Sequence, residues 1–300
     1  MPNLHTQQRD LVAWTELAEV DVLDQDTIAA RHFSKCRSLR ACQRRTKLWV
    51  DQEIVERMQV PVVSCEGRKG KLSTLFRLTR RGAELLKTLT GYCPRRPAKR
   101  NPRPETLFHR LGVAQVQLAV NDACMLQGLT KPVWIHEYDT YPNPDPKASA
   151  DQRYILYERF PLADGRAATC WPDASCHIVI PGPDGTAHDL LVYWEYDRST
   201  ERLGQVAAKL FGFQGLLSTG LYRKHWPAAP TPTVRIFFVV PSATRLQNVA
   251  KVLADSPGSE AVRLTTAAEL KPEFVLTEPI WRTVKGESLP ILRNPMPRPS

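Results

Sequence analysis

Along the first third of the chain, apolar residues recur at spacings of three and four and then switch to alternation. Residues 8–19 and 24–33 read as two short helices. The second opens at Asp24 or Asp26, where a carboxylate accepts from the first free amides of a helix. A longer helical run is predicted over residues 38–58, with Leu39, Cys42, Thr46, Trp49, Val50 and Ile54 as its buried stripe. Two alternating segments follow at 60–65 and 72–79, joined by EGRKGK, where Gly67 and Gly70 suit a hairpin turn. A further helix begins at Thr79. Three helices and then a hairpin is the order of a winged helix-turn-helix, an α+β module occupying residues 1–92.

Residues 93–104, CPRRPAKRNPRP, contain no aliphatic side chain except Ala98 and cannot pack as a helix or a central strand. They are the expected boundary. Beyond it, a helix is predicted over 104–126, strands at 133–138, 168–180 and 188–196, and a loop over 139–152 that carries Pro142, Pro144 and Pro146. A helix over 200–217 places Leu203, Val206, Leu210, Phe213 and Leu217 on one face. A strand at 234–240, a helix at 243–254 and a strand at 261–265 complete an α/β domain over 105–285, and residues 286–300, ending in NPMPRPS, read as a disordered tail.

Composition agrees with two globular domains: 300 residues, 42% hydrophobic and 24% charged. Apolar runs such as 236–240 are far below the ~20 residues of a membrane span. The amino terminus, MPNLHTQQRDLVAW, lacks the basic and apolar segments of a signal peptide, so a cytoplasmic protein is expected. The seven cysteines, Cys36, Cys42, Cys65, Cys93, Cys124, Cys170 and Cys176, include no CxxC pair and suggest buried thiols rather than disulfides or a zinc site. The histidines show no HExxH spacing, and no GxxxxGK[ST], GxGxxG or GxSxG occurs.

Charge changes the picture more. Residues 1–104 hold 21 Lys plus Arg against 11 Asp plus Glu, whereas residues 105–300 hold 20 of each, so the whole net charge of +10 lies in the first third. Clustered cations gain affinity for phosphates by releasing counterions, which points to a polyanion partner such as double-stranded DNA; a membrane surface would also attract them, and a basic surface kept only for solubility is the plainer alternative. At 100° per residue, Arg37, Arg40, Arg44 and Lys47 fall within a sector of about 80°, a stripe suited to the major groove. Arg68, Lys69 and Lys71 put cations at the hairpin tip, suited to phosphates or the minor groove. The competing reading is a solvated basic face on a winged helix that contacts proteins.

Two predicted strands of the second domain deliver acids to nearby places: Asp173 in CWPDASCHIVI, and Glu195 with Asp197 in LLVYWEYDRST. The order of elements around them is that of restriction-endonuclease-like PD-(D/E)xK domains. The resemblance implies that Asp173 and Glu195 bind Mg²⁺, a hard cation that carboxylate oxygens hold and that neutralises charge in phosphodiester hydrolysis. Asp197 stands where that motif has its lysine, and Lys209 on the following helix is the substitute. The competing readings are that Asp197 caps the next helix, that Lys209 snorkels from its edge, and that Asp173 makes a turn with Pro172.

Five segments in order, RLTRRGAELL (77–86), FHRLGVAQVQLAV (108–120), WPDA (171–174), YWEYDRSTE (193–201) with Lys209 and Phe213 downstream, and EPIWRTV (278–284), resemble the replication-relaxation family of plasmids and other mobile elements of bacteria. The resemblance implies a winged-helix DNA-binding domain joined to a PD-(D/E)xK-like domain, acting in plasmid replication and DNA relaxation. Two functions stay open: a DNA-binding replication factor with a metal-dependent nuclease site at Asp173, Glu195, Asp197 and Lys209, or a non-enzymatic transcriptional regulator whose second domain supplies homodimer contacts.

Overall fold

Helix boundaries in the first part of the chain fall at residues whose chemistry calls for them. The computed structural model describes residues 5–34, 39–61, 72–93, 103–162, 165–182, 186–199 and 201–292. Helix α1 (Gln8–Val20) is followed by the short strand β1 (Leu23–Asp24), and α2 (Gln25–His32) starts where the Asp24 carboxylate accepts from the Thr27 amide at 2.7 Å. Helix α3 spans Leu39–Asp51 and buries Cys42, Thr46 and Trp49.

Helix α3 stops seven residues before the expected end at 58. Glu53 takes a left-handed φ of 57° and donates to Val50 O, while the Ile54 amide reaches Trp49 O, both at 2.9 Å. This pair of bonds satisfies the last carbonyls and turns the chain out of the helix. Strand β2 (Val55–Pro61) therefore begins five residues before the expected strand at 60, pairing with β3 (Leu72–Leu78). VERMQV fits either period, and the cap decides between them.

Helix α4 (Arg80–Thr90) begins as expected at Thr79, whose hydroxyl accepts from the Gly82 amide at 3.0 Å, and ends at Gly91 with φ 73°. The sheet order is β1-β3-β2, all antiparallel. Beside it, Trp14 and Trp49 pack edge to face with centroids 6.0 Å apart. The fully buried Asp10 accepts from the Arg45 guanidinium, the Trp49 indole and the Gln7 amide. Arg77, 1% exposed, bonds to Asp21 at 2.7 Å, and Asp21 also takes Arg110 at 2.8 Å. Each buried charge thus has a partner, which is what makes its burial tolerable.

The chain divides into two units, residues 1–117 and 118–300. The division falls inside α5 (Pro104–Leu126), not at the expected linker of 93–104, most of which lies outside the described residues. Leu107 and Leu111 of α5 pack with Val22, Val60 and Leu75, which ties its first half to the first unit.

In the second unit the described strands form a seven-stranded mixed sheet of order β12-β11-β10-β9-β8-β7-β4. These are β4 (Val133–His136), β7 (Ala174–Pro181), β8 (Ala187–Tyr196), β9 (Thr233–Val240), β10 (Val262–Thr266), β11 (Trp281–Arg282) and β12 (Ser288–Leu289). Strands β8, β9 and β10 run parallel, and the flanking pairs are antiparallel. The expected single strand over 168–180 is two strands in different sheets. Residues Ala167–Cys170 form β6, which among the described residues pairs with β5 (Glu158–Pro161) alone, and the break falls at Trp171-Pro172-Asp173, where proline has no amide to donate. Strand β12 lies within the expected tail from 286, and residues 293–300 of that tail are outside the described residues.

The connections of the parallel strands are helical. Helix α6 (Ala150–Arg153) precedes the β5–β6 hairpin, α7 (Leu203–Thr219) and α8 (Tyr222–His225) link β8 to β9, α9 (Ala243–Leu253) links β9 to β10, and α10 (Pro272–Val275) precedes β11. Tyr193, Ile236, Phe238 and Leu264 pack under Leu210, Phe213 and Val249 of α7 and α9. On the other face Trp194 packs against Trp134, Phe237 and Trp281, with centroids 5.1 to 5.9 Å away. Among the described residues no helix is long and apolar enough to cross a membrane.

The N-terminus of α4 lies directly on the Ile54 carbonyl, since a Cβ at Gly82 would stand 2.0 Å from that oxygen. Gly82→Ala is expected to destabilise the protein by about 2 to 4 kcal/mol, because neither backbone segment yields cheaply. Urea denaturation of the two full-length proteins checks this; equal midpoints would show that α4 shifts without cost.

Candidate functional site

Strand β8 changes character near its C-terminal end. Its inward positions alternate, with Tyr193 on the α7 side and Trp194 on the other, and Glu195 continues the Tyr193 face at 3% exposure. A carboxylate at such a position demands a partner. It has one in Lys209 on α7, whose Nζ donates to Glu195 Oε2 at 2.7 Å and lies 3.0 Å from Glu201 Oε1. Helix α7 comes close because Gly212 has no side chain: a Cβ there would stand 2.2 Å from Thr169 O of β6.

The β7–β8 register pairs Ala174 with Trp194, so Asp173 precedes β7 at the position opposite Glu195. Its amide donates to Trp194 O at 3.1 Å and its carboxylate accepts from the Tyr196 amide at 2.6 Å. Asp173, Glu195 and Lys209 are thereby brought together, and Glu201 joins them. Asp197 is not part of the group. Its two carboxylate oxygens accept from the Ser199 amide and the Arg245 guanidinium, each at 2.6 Å, and Arg245 also bonds to Glu201 O. Helix α7 has Arg202 as its N-terminal cap residue, so Asp197 braces the strand-to-helix turn without capping the helix.

Three carboxylates around one ammonium leave an excess of negative charge. Burial pushes the Glu195 carboxyl up to about 8; Lys209 pulls it back and Asp173 pushes it further up. Burial opposes the Lys209 cation, but Glu195 and Asp173 outweigh it and raise its pKa. Both shifts have one origin, the crowding of carboxylates around Lys209 in a site shut off from water. Lys209 also lines an open cleft of about 670 Å³ with Arg166, Thr169, Gln205 and Phe211.

Glu201 and Arg245 escape a sequence reading because their roles depend on where the 197–202 turn points. The same is true of a second group beneath Tyr193, whose hydroxyl meets His225 Nδ1 at 2.9 Å while Glu158 accepts from Lys224 at 2.8 Å. Among the described cysteines, Cys42, Cys124, Cys170 and Cys176 are buried and Cys93 is exposed, with burial raising the Cys42 thiol to about 11 and Cys124 to about 12.

In the first unit, Arg40, Arg44 and Lys47 lie on the exposed side of α3, and among the described residues none of them forms an ion pair. The intervening Arg45 instead turns inward to Asp10. Arg37, Arg68, Lys69 and Lys71 lie outside the described residues.

A family model described as replication-relaxation matches residues 14–230, a stretch that includes α3, Asp173, Glu195 and Lys209. No curated protein and no solved structure matches the chain.

Burial raises the Glu195 carboxyl above its ordinary value of 4.5, so over the range just above 4.5 the folded chain binds more protons than the unfolded one and stability falls as pH rises. The raised Lys209 contributes stability throughout that range and loses it only at higher pH. Glu195→Gln is expected to flatten the decline, read as denaturation midpoints at pH 5 and pH 8. A wild-type decline that persists unchanged in the variant would place the titration elsewhere.

Proposed function

The chain belongs to the replication-relaxation family, and from that premise we propose that it is a DNA-binding protein of plasmid or mobile-element replication whose second unit carries a metal-dependent nuclease site. The carrying observation is the meeting of Asp173, Glu195 and Lys209 at the head of β8. In this reading the first unit is a winged helix-turn-helix. The stripe of Arg37, Arg40, Arg44 and Lys47 enters the major groove of double-stranded DNA, and Arg68, Lys69 and Lys71 reach phosphates or the minor groove.

The second unit is read as a PD-(D/E)xK-like domain. The carboxylate oxygens of Asp173 and Glu195 are hard donors of the kind Mg²⁺ takes. Asp173 and Glu195 would hold the ion, which when bound supplies charge neutralisation at the phosphodiester and a more acidic water. Lys209 fills the place of the motif lysine from the next helix, orienting a nucleophilic water by donating to it. Asp197 then acts as a positioning residue: with Arg245 it fixes the turn that carries Glu201 and aims α7 at β8.

One observation favours the second reading, a regulator with a catalytically silent domain. Lys209 donates straight into Glu195, the arrangement of a structural pair that satisfies a buried carboxyl. The two readings part on cleavage. Supercoiled plasmid incubated with the protein and Mg²⁺ or Mn²⁺ is expected to be nicked or cut, with loss of cleavage and retained binding in Glu195→Gln and in EDTA. Binding without cleavage under either metal would leave the regulator.

DNA binding itself is expected to weaken steeply with salt. Replacing Arg40, Arg44 and Lys47 together by alanine is expected to lower duplex affinity by about 10- to 1,000-fold and to reduce the slope of log K against log salt by up to about 3, as phosphate contacts are lost. Fluorescence anisotropy with a labelled duplex across a salt series measures both. An unchanged slope would remove α3 from the interface.

A further inference from the structure

On the sheet face opposite Lys209, a cavity of about 230 Å³ lies over the N-terminal half of β9. Its lining includes His188, Thr233, Arg235, Phe237, Arg263 and Trp281, with residues 289–291 of the chain's last described segment along one side. Ile236 and Phe238 of β9 point to α7, so the odd positions Arg235 and Phe237 face the other way. The β9–β10 register sets Arg263 against Phe237, which puts both guanidinium groups on that face, one step apart across two parallel strands.

Neither arginine is neutralised. Arg235 donates from Nη1 to Val234 O at 2.9 Å, and Arg263 donates from Nη1 to Glu260 O at 2.9 Å and Val262 O at 2.7 Å. All three acceptors are backbone carbonyls of nearby residues, and among the described residues neither side chain makes an ion pair. Glu260 and Glu287 act on them only at a distance, and Asp189, the one carboxylate in the lining among the described residues, is held by His177 at 2.7 Å. Burial lowers the pKa of both arginines, and the charge of Arg235 lowers that of Arg263 further. Two half-buried like charges side by side are costly unless an anion lies between them. Each guanidinium has five N–H donors, of which these bonds engage one nitrogen apiece, and a forked donor pair matches the oxygens of phosphate.

We propose that this cavity is a phosphate-binding site in which Arg235 and Arg263 grip one phosphate group from two sides, with the Thr233 hydroxyl and His188 ring at its rim. It lies on the opposite face of the sheet from Glu195 and stands independently of the nuclease reading. The phosphate belongs either to a DNA backbone or end, or to a small phosphate compound; the chemistry of recognition is the same.

The test uses the full-length protein and inorganic phosphate as the probe, with chloride at matched ionic strength as the control. Phosphate is expected to raise the unfolding midpoint of the wild type in a saturable way. The Arg235→Gln/Arg263→Gln double variant is expected to lose that rise while keeping, in chloride, a midpoint no lower than wild type, because two repelling buried charges have been removed. Arg263→Lys, which keeps the charge and loses the fork, is expected to bind phosphate about 10-fold more weakly. No saturable rise in the wild type, or a rise that survives in the double variant, overturns the proposal; so does a midpoint of the double variant in chloride well below wild type, since the arginines would then be serving the fold. Anisotropy with a 5′-phosphorylated duplex distinguishes the sources. Weaker DNA binding by the double variant, with competition by inorganic phosphate, assigns the site to DNA; unchanged DNA binding beside a lost phosphate response assigns it to a small phosphate compound.

Discussion

The second unit is arranged around a carboxyl group that sits where an apolar side chain would be expected. Strand β8 is flanked on both sides, antiparallel by β7 and parallel by β9, and its inward positions are otherwise filled by Leu191, Tyr193 and their neighbours. Glu195 keeps the same alternation, so its carboxyl is delivered beneath α7 with almost no access to water. The Lys209 bond is what makes that position habitable. For Lys209 to reach it, α7 must lie close against β6, and Gly212 allows the approach. The turn between β8 and α7 must be held as well, which Asp197 and Arg245 do. One buried acid therefore links a strand, a helix, a hairpin and a turn.

The same economy recurs in the first unit. Asp10 is completely enclosed and is matched by Arg45, Trp49 and the Gln7 amide, while Arg77 is enclosed and matched by Asp21. Removing one member of such a group leaves the other uncompensated, which is costlier than never having buried the pair. These bonds fix α1 against α3, and so fix which side of α3 is left to solvent. Arg45 is thereby turned into the core, whereas Arg40, Arg44 and Lys47 lie on the outer side of α3.

Much of the fold was legible because its signals are local. Asp24 and Thr79 are side-chain caps, and the buried positions Cys42, Thr46 and Trp49 of α3 and Val206, Leu210 and Phe213 of α7 follow the helical period, although Leu39 of the expected α3 stripe is exposed. The misreadings occurred where a local pattern allows two answers. Residues 55–60 satisfy helix and strand equally until the Glu53 cap intervenes. Residues 167–180 look like one strand because both halves alternate, and only the pairing of Ala167–Cys170 with Glu158–Pro161 separates them. At the candidate site, Asp173 and Glu195 stood out as acids embedded in apolar strands, and Lys209 as a cation beside an apolar stripe. Glu201 and Arg245 carried no comparable signal.

The sequence by itself determined the composition of the two modules, the concentration of positive charge in the first 104 residues, the order of most elements and the choice of acids worth following, because periodicity, capping and net charge are properties of neighbours along the chain. Tertiary structure alone decided which charges meet. Pairing of β7 with β8 set Asp173 opposite Glu195, packing of α7 brought Lys209 to them, and the turn of 197–202 sent Asp197 to Arg245 instead. The pairing of β9 with β10 likewise put Arg235 and Arg263 in one cavity, 28 positions apart in the chain. Such meetings depend on strand register and helix approach, which are settled by contacts between residues distant in sequence, and a linear pattern carries no record of them.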